Sequence, residues 1–561
     1  MSSLIEGADI SIESFLEENE DRTSDIQNFF RGANVLITGA TGFMGKVLLE
    51  KLLRSCQDIN MIYIVVRPKM GKSHVRRFYE IFEGPFFDRM KSECPNYLYK
   101  VKLVYGDCLK PNLGFSEEDR AHLIGCVDLV FHAAAAVRFD TSLRVAVITN
   151  VRSTVDLLNM ARGMHRLKAF VFVSTAYSNC DNEHIEEKFY EPPIPWLTLT
   201  LMAETLSEEM LTKITPGILG EWPNAYALTK CVAEDVVRSK GDKLPIAIVR
   251  PSIVIATSKE PIAGWINNFY GPTGVVAGAG IGLLRSLHCD GNMLADLVPV
   301  DMVINCMIAA AWDVGRTRLE ATNSEILAPS PEEEKEANPL SCPGDPEYHI
   351  VPSRSHKKTK VRRKTVPSLV PIYNFVSSNQ QALTWRDFMS LNERAEPQIP
   401  SQLMIWYYCF RLNKHKSIHL LCIFFLHWVP AFLVDLGARL IGRKPRMINA
   451  YKKIHRFSEV LSYFSTRQWL FDDTNTRDLW RKMPAEDQKY FNFDIGALIW
   501  EDYFYTHMRG LRVYLVKDSL DTVPLGIRKR HRFMLAHYTL VCLVFSLLVT
   551  CILNIVSLVL R

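Results

Sequence analysis

The chain has 561 residues, of which 48% are hydrophobic and 23% charged, and its net charge at pH 7 is +5. This length exceeds that of one ordinary domain, so we expect at least two folded units. The basic residues form no extended face, and no nucleic-acid-binding module is recognisable, so nucleic acid is not predicted as a partner. The 13 cysteines are an odd number without a Cys-x-x-Cys pair, which is typical neither of a disulfide framework nor of a zinc site.

The first half of the chain predicts a parallel sheet. Residues 1–25 form an acidic extension without the apolar core of a signal peptide. From residue 26 to 318, helical patterns alternate with apolar runs of strand length. The runs are NVLIT, MIYIVV, KLVYGD, DLVFHAA, AFVFVST and IAIVR. Strands buried on both faces and joined by helices are typical of a doubly wound α/β sheet of the Rossmann type.

A glycine-rich turn follows the first strand. In TGATGFMG, three glycines have the spacing Gly-x-x-Gly-x-x-Gly and a helix follows at once. Glycines here permit a tight turn and a close approach to a pyrophosphate, which the helix N-terminus attracts. The predicted cofactor-binding residues of this turn are Thr38, Gly39, Thr41, Gly42, Phe43, Met44 and Gly45.

The residues after the second and third strands predict which dinucleotide binds. An NAD-selective fold tends to place an acidic residue about twenty positions beyond the glycines, whereas this chain has Arg67. A cation there suits a 2′-phosphate and favours NADPH, with Arg77 as a second contact, although a solvated arginine remains the alternative. Asp107 ends the third strand, where it is predicted to meet the adenine amino group.

The segment NAYALTK places Tyr226 and Lys230 four residues apart, on one face of a helix. A lysine cation one turn away is expected to stabilise the phenolate and lower the pKa of the tyrosine. Thr175 follows the fifth strand, at the edge where sheets of this type carry their chemistry. The three residues are predicted to protonate a carbonyl oxygen while hydride arrives from a nicotinamide.

The second half of the chain begins with a charged insertion. Residues 319–368 are rich in Pro, Ser and charge, a composition typical of disorder. A smaller, mainly helical domain is predicted over residues 369–520. Within it, residues 419–440 are apolar but contain His427, Pro430 and Asp435. We interpret them as a membrane-dipping segment or as a lining for an acyl chain.

The chain ends in a predicted transmembrane helix over residues 533–560, which contain no Asp, Glu, Lys or Arg. The basic cluster RKRHR precedes it and should stay in the cytosol. The body of the protein is therefore expected to face the cytosol from a membrane, with the endoplasmic reticulum favoured over the peroxisome and the lipid droplet.

Several motifs resemble the alcohol-forming fatty acyl-CoA reductases, a family of extended short-chain dehydrogenase/reductases. In the first half they are VLITGATGFMGKVLLEKLLR, IVVRPKMGKS, HAAAAVRFD, FVSTAYSN, NAYALTK, VRPSIV and DLVPVDMVIN. The second half adds PIYNFVSS, LTWRDF, HWVPAFLVDLGARLIG, FNFDIGALIWEDY and GLRVYLVKD, which are similar to the reductase-associated domain of that family.

This resemblance implies NADPH-dependent reduction of a long-chain or very-long-chain acyl-CoA to a primary alcohol, through the aldehyde and with release of CoA. It implies that Tyr226 protonates the alkoxide, that Lys230 tunes Tyr226 and holds the nicotinamide ribose, and that Thr175 orients the carbonyl. Two alternatives stay open. A membrane-bound hydroxysteroid dehydrogenase/isomerase would leave residues 371–518 without an explanation, and a non-catalytic scaffold would need neither the glycines nor the Tyr–Lys pair.

Overall fold

The computed structural model describes residues 24–68, 71–327 and 370–560. Most of the predicted N-terminal extension, residues 1–23, and residues 328–368 of the predicted insertion lie outside these ranges.

The centre of the molecule is a seven-stranded parallel sheet. Its strand order is β7-β6-β5-β4-β1-β2-β3, which confirms the predicted doubly wound fold. The order reverses between β1 and β4, and a crevice opens there at the carboxyl ends of the strands. The strands are β1 (Asn34–Thr38), β2 (Met61–Val66), β3 (Val101–Tyr105), β4 (Leu129–His132), β5 (Ala169–Val173), β6 (Ile246–Pro251) and β7 (Ile372–Phe375).

The strands are buried because their apolar side chains alternate between two cores. In β1, Val35 and Ile37 join the core under the helices Phe43–Ser55 and Val300–Leu327. Leu36 points the other way, into the core that includes helix Ala225–Lys240. Full burial of such a side chain contributes about 1.5–3 kcal/mol, so this alternation fixes the sheet between two helical layers.

The seventh strand belongs to the segment that the sequence analysis assigned to the second domain. Strand β7 pairs with β6, and the Tyr373 hydroxyl donates a 2.7 Å hydrogen bond to Asp313. Two short parallel strand pairs add further connections between the two parts: His184–Ile185 with Leu470–Phe471, and Ser286–His288 with Arg411–Asn413. A third pair, Ile253–Ile255 with Leu297–Pro299, lies within the first part. The two parts of the chain therefore share the seven-stranded sheet and are joined by further short strand pairs.

The helices of the described residues cover both faces of the sheet and form most of the second part. They are Asp25–Phe30, Phe43–Ser55, His74–Ile81, Asp88–Glu93, Glu117–Cys126, Leu143–Val147, Ser153–Ala161, Trp196–Thr205, Glu208–Leu219, Ala225–Lys240, Pro272–Gly280, Val300–Leu327, Trp385–Ala395, Lys416–Ile423, Val429–Leu440, Met447–Ser465, Thr474–Lys482, Ala485–Tyr490, Trp500–Gly510 and Val523–Val559.

Two of these helices begin or end away from the predicted boundaries. Helix Val300–Leu327 continues into the range assigned to the charged insertion, because the sequence LEATNSEIL still contains several good helix formers and no Pro or Gly. Helix Val523–Val559 begins ten residues before the predicted transmembrane helix and includes its basic cluster. The segments Lys416–Leu440 and Leu520–Val559 are both long and apolar enough to cross a membrane.

Candidate active site

The turn after β1, which we call the glycine turn (residues 38–45), leaves no room for side chains at two positions. Gly39 has a φ of +80°, and a Cβ atom there would lie 2.7 Å from the backbone nitrogen of Ala134. A Cβ atom on Gly45 would lie 2.2 Å from the Gly39 carbonyl oxygen. Helix Phe43–Ser55 begins directly behind Gly42. The turn therefore brings backbone amides and the positive end of a helix to the crevice.

A cavity of about 950 Å³ opens at this crevice, and most of the residues predicted from the sequence line it. They are Thr38, Gly39, Thr41, Gly42, Phe43, Met44, Gly45, Arg67, Asp107, Thr175 and Tyr226. Arg77 and Lys230 are not among the lining residues. Arg77 donates a hydrogen bond to Thr41, which lines the cavity, and Lys230 donates one to Val173 at the end of β5.

Two arginines converge at the end of β2. Arg77 donates one hydrogen bond to the Arg67 carbonyl oxygen and a second, 3.3 Å long, to Oγ1 of Thr41. The guanidinium of Arg67 is 58% exposed and lies 4.0 Å from the Asp107 carboxylate. Partial burial and the charge of Arg67 lower the pKa of Arg77. Two positive charges held this close favour an anionic group beside them.

Tyr226 lies in the first turn of helix Ala225–Lys240. The side chain of Asn224 caps this helix and accepts a 3.0 Å hydrogen bond from the amide of Ala227. Burial raises the pKa of Tyr226 to about 12, although a hydrogen bond with the Thr175 side chain opposes the shift. Both hydroxyls belong to residues that line the cavity, so one carbonyl oxygen can contact both.

Lys230 lies one turn further along the same helix. Its ammonium donates a 2.7 Å hydrogen bond to the Val173 carbonyl oxygen and lies 4.8 Å from the centre of the Phe172 ring. Burial lowers the pKa of Lys230 to about 8, and the charge of Glu234 opposes this shift. The expected lowering of the Tyr226 pKa is absent, because burial outweighs the other influences on the tyrosine and the ammonium is bound to Val173.

A buried ion pair beneath Lys230 was not predicted. The Glu234 carboxylate accepts hydrogen bonds from Ser174 and Ser178, and Arg250 approaches its two oxygens at 2.9 and 2.6 Å. Because each charge is paired and hydrogen-bonded, the network fixes the ends of β5 and β6 against the helix that carries Tyr226. Its sequence signal is weak: Glu234 stands one helical turn after Lys230.

The far side of the cavity is apolar and comes from the second part of the chain. Phe464 stacks on Phe139 at 5.9 Å, and Phe139 lies 6.2 Å from the ring of Tyr226. The apolar surface therefore begins beside the tyrosine. We call it the apolar wall; its residues are Trp385, Phe388, Met389, Leu412, Leu461 and Phe464. No local motif identifies these side chains, because the fold gathers them from three separate segments.

Met389 separates this cavity from a second, small one. It lines both spaces, and the second is also lined by Val276, Ala279, Tyr408 and Met508. None of residues 419–440 lines the main cavity. The segment packs on the outside of the elements that form the wall, so the cavity gives no support to the acyl-chain lining, and the membrane-dipping alternative stays a prediction.

The thiols in the cavity are held in their protonated form. Burial raises the pKa of Cys108 to about 11 and that of Cys289 to about 12, so neither is a nucleophilic thiolate at neutral pH. Burial also raises the pKa of Cys180 to about 12 and raises the pKa of Cys231. Within residues 24–68, 71–327 and 370–560, no group of three or more His, Cys, Asp or Glu side chains is arranged to hold a metal ion.

The sheet, the glycine turn and the helix carrying Tyr226 and Lys230 define a nicotinamide-dinucleotide-binding reductase of the short-chain type. Residues 37–307 match the NAD-binding model of the family described as "Male sterility protein", and residues 426–518 match its Sterile model. The reductase domain of a non-ribosomal peptide synthetase from Mycobacterium tuberculosis has the same fold, with a TM-score of 0.51 and 19% identity over 86% of this chain and 92% of that one.

Closer relatives identify the family. The chain is 36% identical to fatty acyl-CoA reductase wat of Drosophila melanogaster, over 93% of this chain and 92% of the relative. It is also 36% identical to fatty acyl-CoA reductase 1 of Homo sapiens, over 89% and 88% of the two chains. The chain belongs to the fatty acyl-CoA reductase family.

Proposed function

We propose that this protein reduces long-chain or very-long-chain fatty acyl-CoA to the primary fatty alcohol with NADPH, through the aldehyde and with release of CoA. One observation carries the proposal: the hydroxyl-bearing residues Tyr226 and Thr175 line a single cavity between the glycine turn and the apolar wall. A dinucleotide, a reacting carbonyl and an alkyl chain need these three surfaces in that order. Membership of the family supports the same reaction.

The residues at the glycine turn fit a dinucleotide. A Cβ atom on Gly39 would clash with the backbone of Ala133 and Ala134, so only glycine allows the tight turn that a dinucleotide-binding fold requires here. The two guanidinium groups at the end of β2 favour the 2′-phosphate of NADPH over the free hydroxyl of NADH. When bound, NADPH supplies the hydride for each of the two reductions.

Tyr226 is the proposed proton donor. As hydride reaches the carbonyl carbon, negative charge develops on its oxygen, and a hydroxyl within hydrogen-bonding distance stabilises and then protonates it. Thr175 holds the same oxygen and fixes its orientation. For the reaction, we propose that the Lys230 ammonium, one turn away on the same helix, leaves the Val173 carbonyl oxygen and stabilises the phenolate that remains.

The first reduction releases CoA when the hemithioacetal hydroxyl returns its proton to the Tyr226 phenolate, the carbonyl forms and the carbon–sulfur bond breaks. The leaving thiolate takes a proton from solvent, and each of the two reductions consumes one NADPH. The aldehyde stays against the apolar wall and is reduced again at the same hydroxyl pair. Since the cavity thiols Cys108 and Cys289 are protonated, no acyl-enzyme is needed. The apolar wall is lined mainly by hydrocarbon side chains and has room for an alkyl chain.

The C-terminal helix Val523–Val559 is the proposed membrane anchor. Its apolar residues from 533 onward are largely exposed, and the basic cluster at residues 528–532 lies in its first part and marks the cytosolic side. We place the catalytic body in the cytosol at the endoplasmic reticulum. Fractionation of cells that produce the tagged full chain tests this, and we expect the chain in the fractions with endoplasmic reticulum markers. Its presence in the fractions with peroxisomal or lipid-droplet markers instead would contradict this location.

The reaction is tested with membranes that contain the full chain, a panel of long-chain acyl-CoAs, and either NADPH or NADH. We expect fatty alcohol with NADPH and a loss of about 10²- to 10⁴-fold in Tyr226→Phe, with NADPH binding retained by the variant. Aldehyde as the end product would contradict the second reduction. NADPH binding without turnover of any acyl-CoA would contradict the proposal and favour a steroid-type enzyme or a scaffold.

A further inference from the structure

The segment Lys416–Leu440 exposes a large apolar surface that the proposed reaction does not use. It consists of helices Lys416–Ile423 and Val429–Leu440, joined by a wider helical turn over Phe424–Trp428. We call its outer surface the apolar face. The exposed side chains are Ile418, Leu420, Leu421, Phe424, Phe425, Val429, Phe432, Leu433, Val434, Leu436 and Leu440. A contiguous exposed surface of this kind marks a site of contact with another apolar phase.

Three polar side chains from the middle of this segment point the opposite way, into the protein. His419 is buried and lies 2.7 Å from the Ser286 hydroxyl. His427 is buried and accepts a 3.0 Å hydrogen bond from the backbone amide of Arg285. Asp435 accepts hydrogen bonds of 2.9–3.0 Å from three successive amides at the start of helix Met447–Ser465. The segment is therefore amphipathic, with its polar side fixed to the body.

This arrangement is that of a helix lying on a membrane rather than crossing it. A spanning helix is surrounded by hydrocarbon, which would leave His419, His427 and Asp435 without the partners they have here. A helix in the plane of the interface needs an apolar side that enters the acyl chains by about 5–10 Å and a polar side that does not. The segment has both.

A chain of contacts joins the segment to the part of the C-terminal helix where the uncharged run begins. Arg285 donates a 2.9 Å hydrogen bond to the Leu426 carbonyl oxygen, and its guanidinium lies 5.7 Å from the Trp406 ring. Trp406 in turn donates a 3.2 Å hydrogen bond to His537 of the C-terminal helix. Tyr407 lies 5.9 Å from Tyr538. Such a belt of Trp and Tyr side chains is typical of a membrane interface.

The charges around the segment complete this pattern. The residues that flank the apolar face are basic and exposed, and one acidic residue, Asp435, lies between positions 414 and 456. The exposed basic residues are Lys416, Arg439, Arg443, Lys444, Arg446, Lys452, Lys453 and Arg456. Each of these cations adds to the attraction between the segment and an anionic leaflet.

We propose that residues 416–440 lie in the plane of the cytosolic leaflet, beside the entry point of the C-terminal helix. The apolar face rests among the acyl chains, and the basic residues contact anionic lipid headgroups. This second contact holds the body against the bilayer in one orientation. It does not depend on the proposed reaction. The segment is also connected to the cavity at both ends, because the strand Arg411–Asn413 before it and the helix Met447–Ser465 after it both contribute residues to the cavity lining.

Depth-dependent quenching tests the contact. A fluorescent amino acid is introduced at position 425 or 433 of the full chain, which is placed in nanodiscs of phosphatidylcholine and phosphatidylserine with lipids brominated at shallow or deep positions. We expect at least about twofold quenching at both positions, strongest with shallow bromines. Position 547 in the C-terminal helix serves as the control deep in the membrane. Leu201, an exposed residue outside the segment, serves as the control that stays in water. Quenching at 425 and 433 no greater than at 201 would overturn the proposal.

The topology is tested separately in sealed microsomes, whose cytosolic face is outward. His415→Cys and Arg443→Cys place a thiol on either side of the segment, and a membrane-impermeant maleimide is read out residue by residue by mass spectrometry. Labelling of both cysteines without detergent is the expected result. Labelling of one, with protection of the other until detergent is added, would show a span and overturn the proposal.

Discussion

The glycine turn and the apolar wall close the same cavity, but they place different demands on the sequence. The turn works through backbone atoms, and two of its glycines cannot carry a Cβ atom without a clash. The wall works through apolar side chains from segments far apart in the chain, and its function depends on shape and volume. Substitutions at the turn should therefore weaken cofactor binding, whereas substitutions at the wall should change which substrate is preferred.

The largest effect is expected from Gly39→Ala. The new Cβ atom would lie 2.7 Å from the Ala134 nitrogen at a φ of +80°, so the turn must move away from the crevice. Strain of about 2–3 kcal/mol corresponds to NADPH binding weakened by about 30- to 150-fold. Titration of NADPH fluorescence measures it.

Gly32→Ala is the matched control for this substitution. Gly32 also has a positive φ, +66°, but nothing lies within 4 Å of its added Cβ atom. We expect a lower melting temperature and unchanged NADPH affinity. Equal losses of affinity in both variants would mean that backbone strain, and not the close approach at the turn, explains the result.

This contrast also explains what the sequence could predict. Residues 38–45 are contiguous, so their spacing indicates a dinucleotide turn, and the four-residue spacing of Tyr226 and Lys230 indicates one helical face. The apolar wall has no such local signal. The addition of β7 to the sheet could not be foreseen either, because it depends on pairing with β6 across a long separation in the chain.

Cofactor preference should change with Arg67→Ala. Losing one charge-assisted hydrogen bond of about 1.5–3 kcal/mol should weaken NADPH binding by about 10- to 150-fold and leave NADH binding nearly unaffected. Steady-state kinetics with both cofactors measures the ratio. Arg76→Ala, which removes an exposed guanidinium paired with Glu80, should leave the ratio unchanged. A parallel loss with NADH in Arg67→Ala would exclude a role in recognising the 2′-phosphate.

The pH dependence of kcat/KM tests the role of the Lys230 ammonium at the reacting carbonyl, which lies between the glycine turn and the apolar wall. Lys230 has a pKa of about 8, so its ammonium is present below that pH and lost above it. We expect kcat/KM to fall by about tenfold per pH unit above pH 8. From the same group, folding stability should rise between pH 8 and about 10.5, because only the unfolded chain keeps the proton there. A flat profile to pH 10 would mean that the ammonium has no part in the reaction.

The smallest effect is expected at the apolar wall. Met389→Ala connects the main cavity with the small one that Met389 also lines. Each additional buried methylene contributes about 0.8 kcal/mol, so the preferred acyl chain should lengthen with a change in relative kcat/KM of about 3- to 10-fold. Met389→Leu keeps the volume and should keep the preference. An unchanged ranking of chain lengths in Met389→Ala would place the end of the alkyl chain elsewhere.

The central claim is that two hydride transfers occur at one hydroxyl pair, between the glycine turn and the apolar wall. It is tested most directly with NADPH deuterated at the transferable position of the nicotinamide, an unlabelled long-chain acyl-CoA and the membrane-bound full chain. The predicted product is a primary fatty alcohol with both hydrogens at C1 replaced by deuterium. An aldehyde with one deuterium, or an alcohol with fewer than two, would contradict the account.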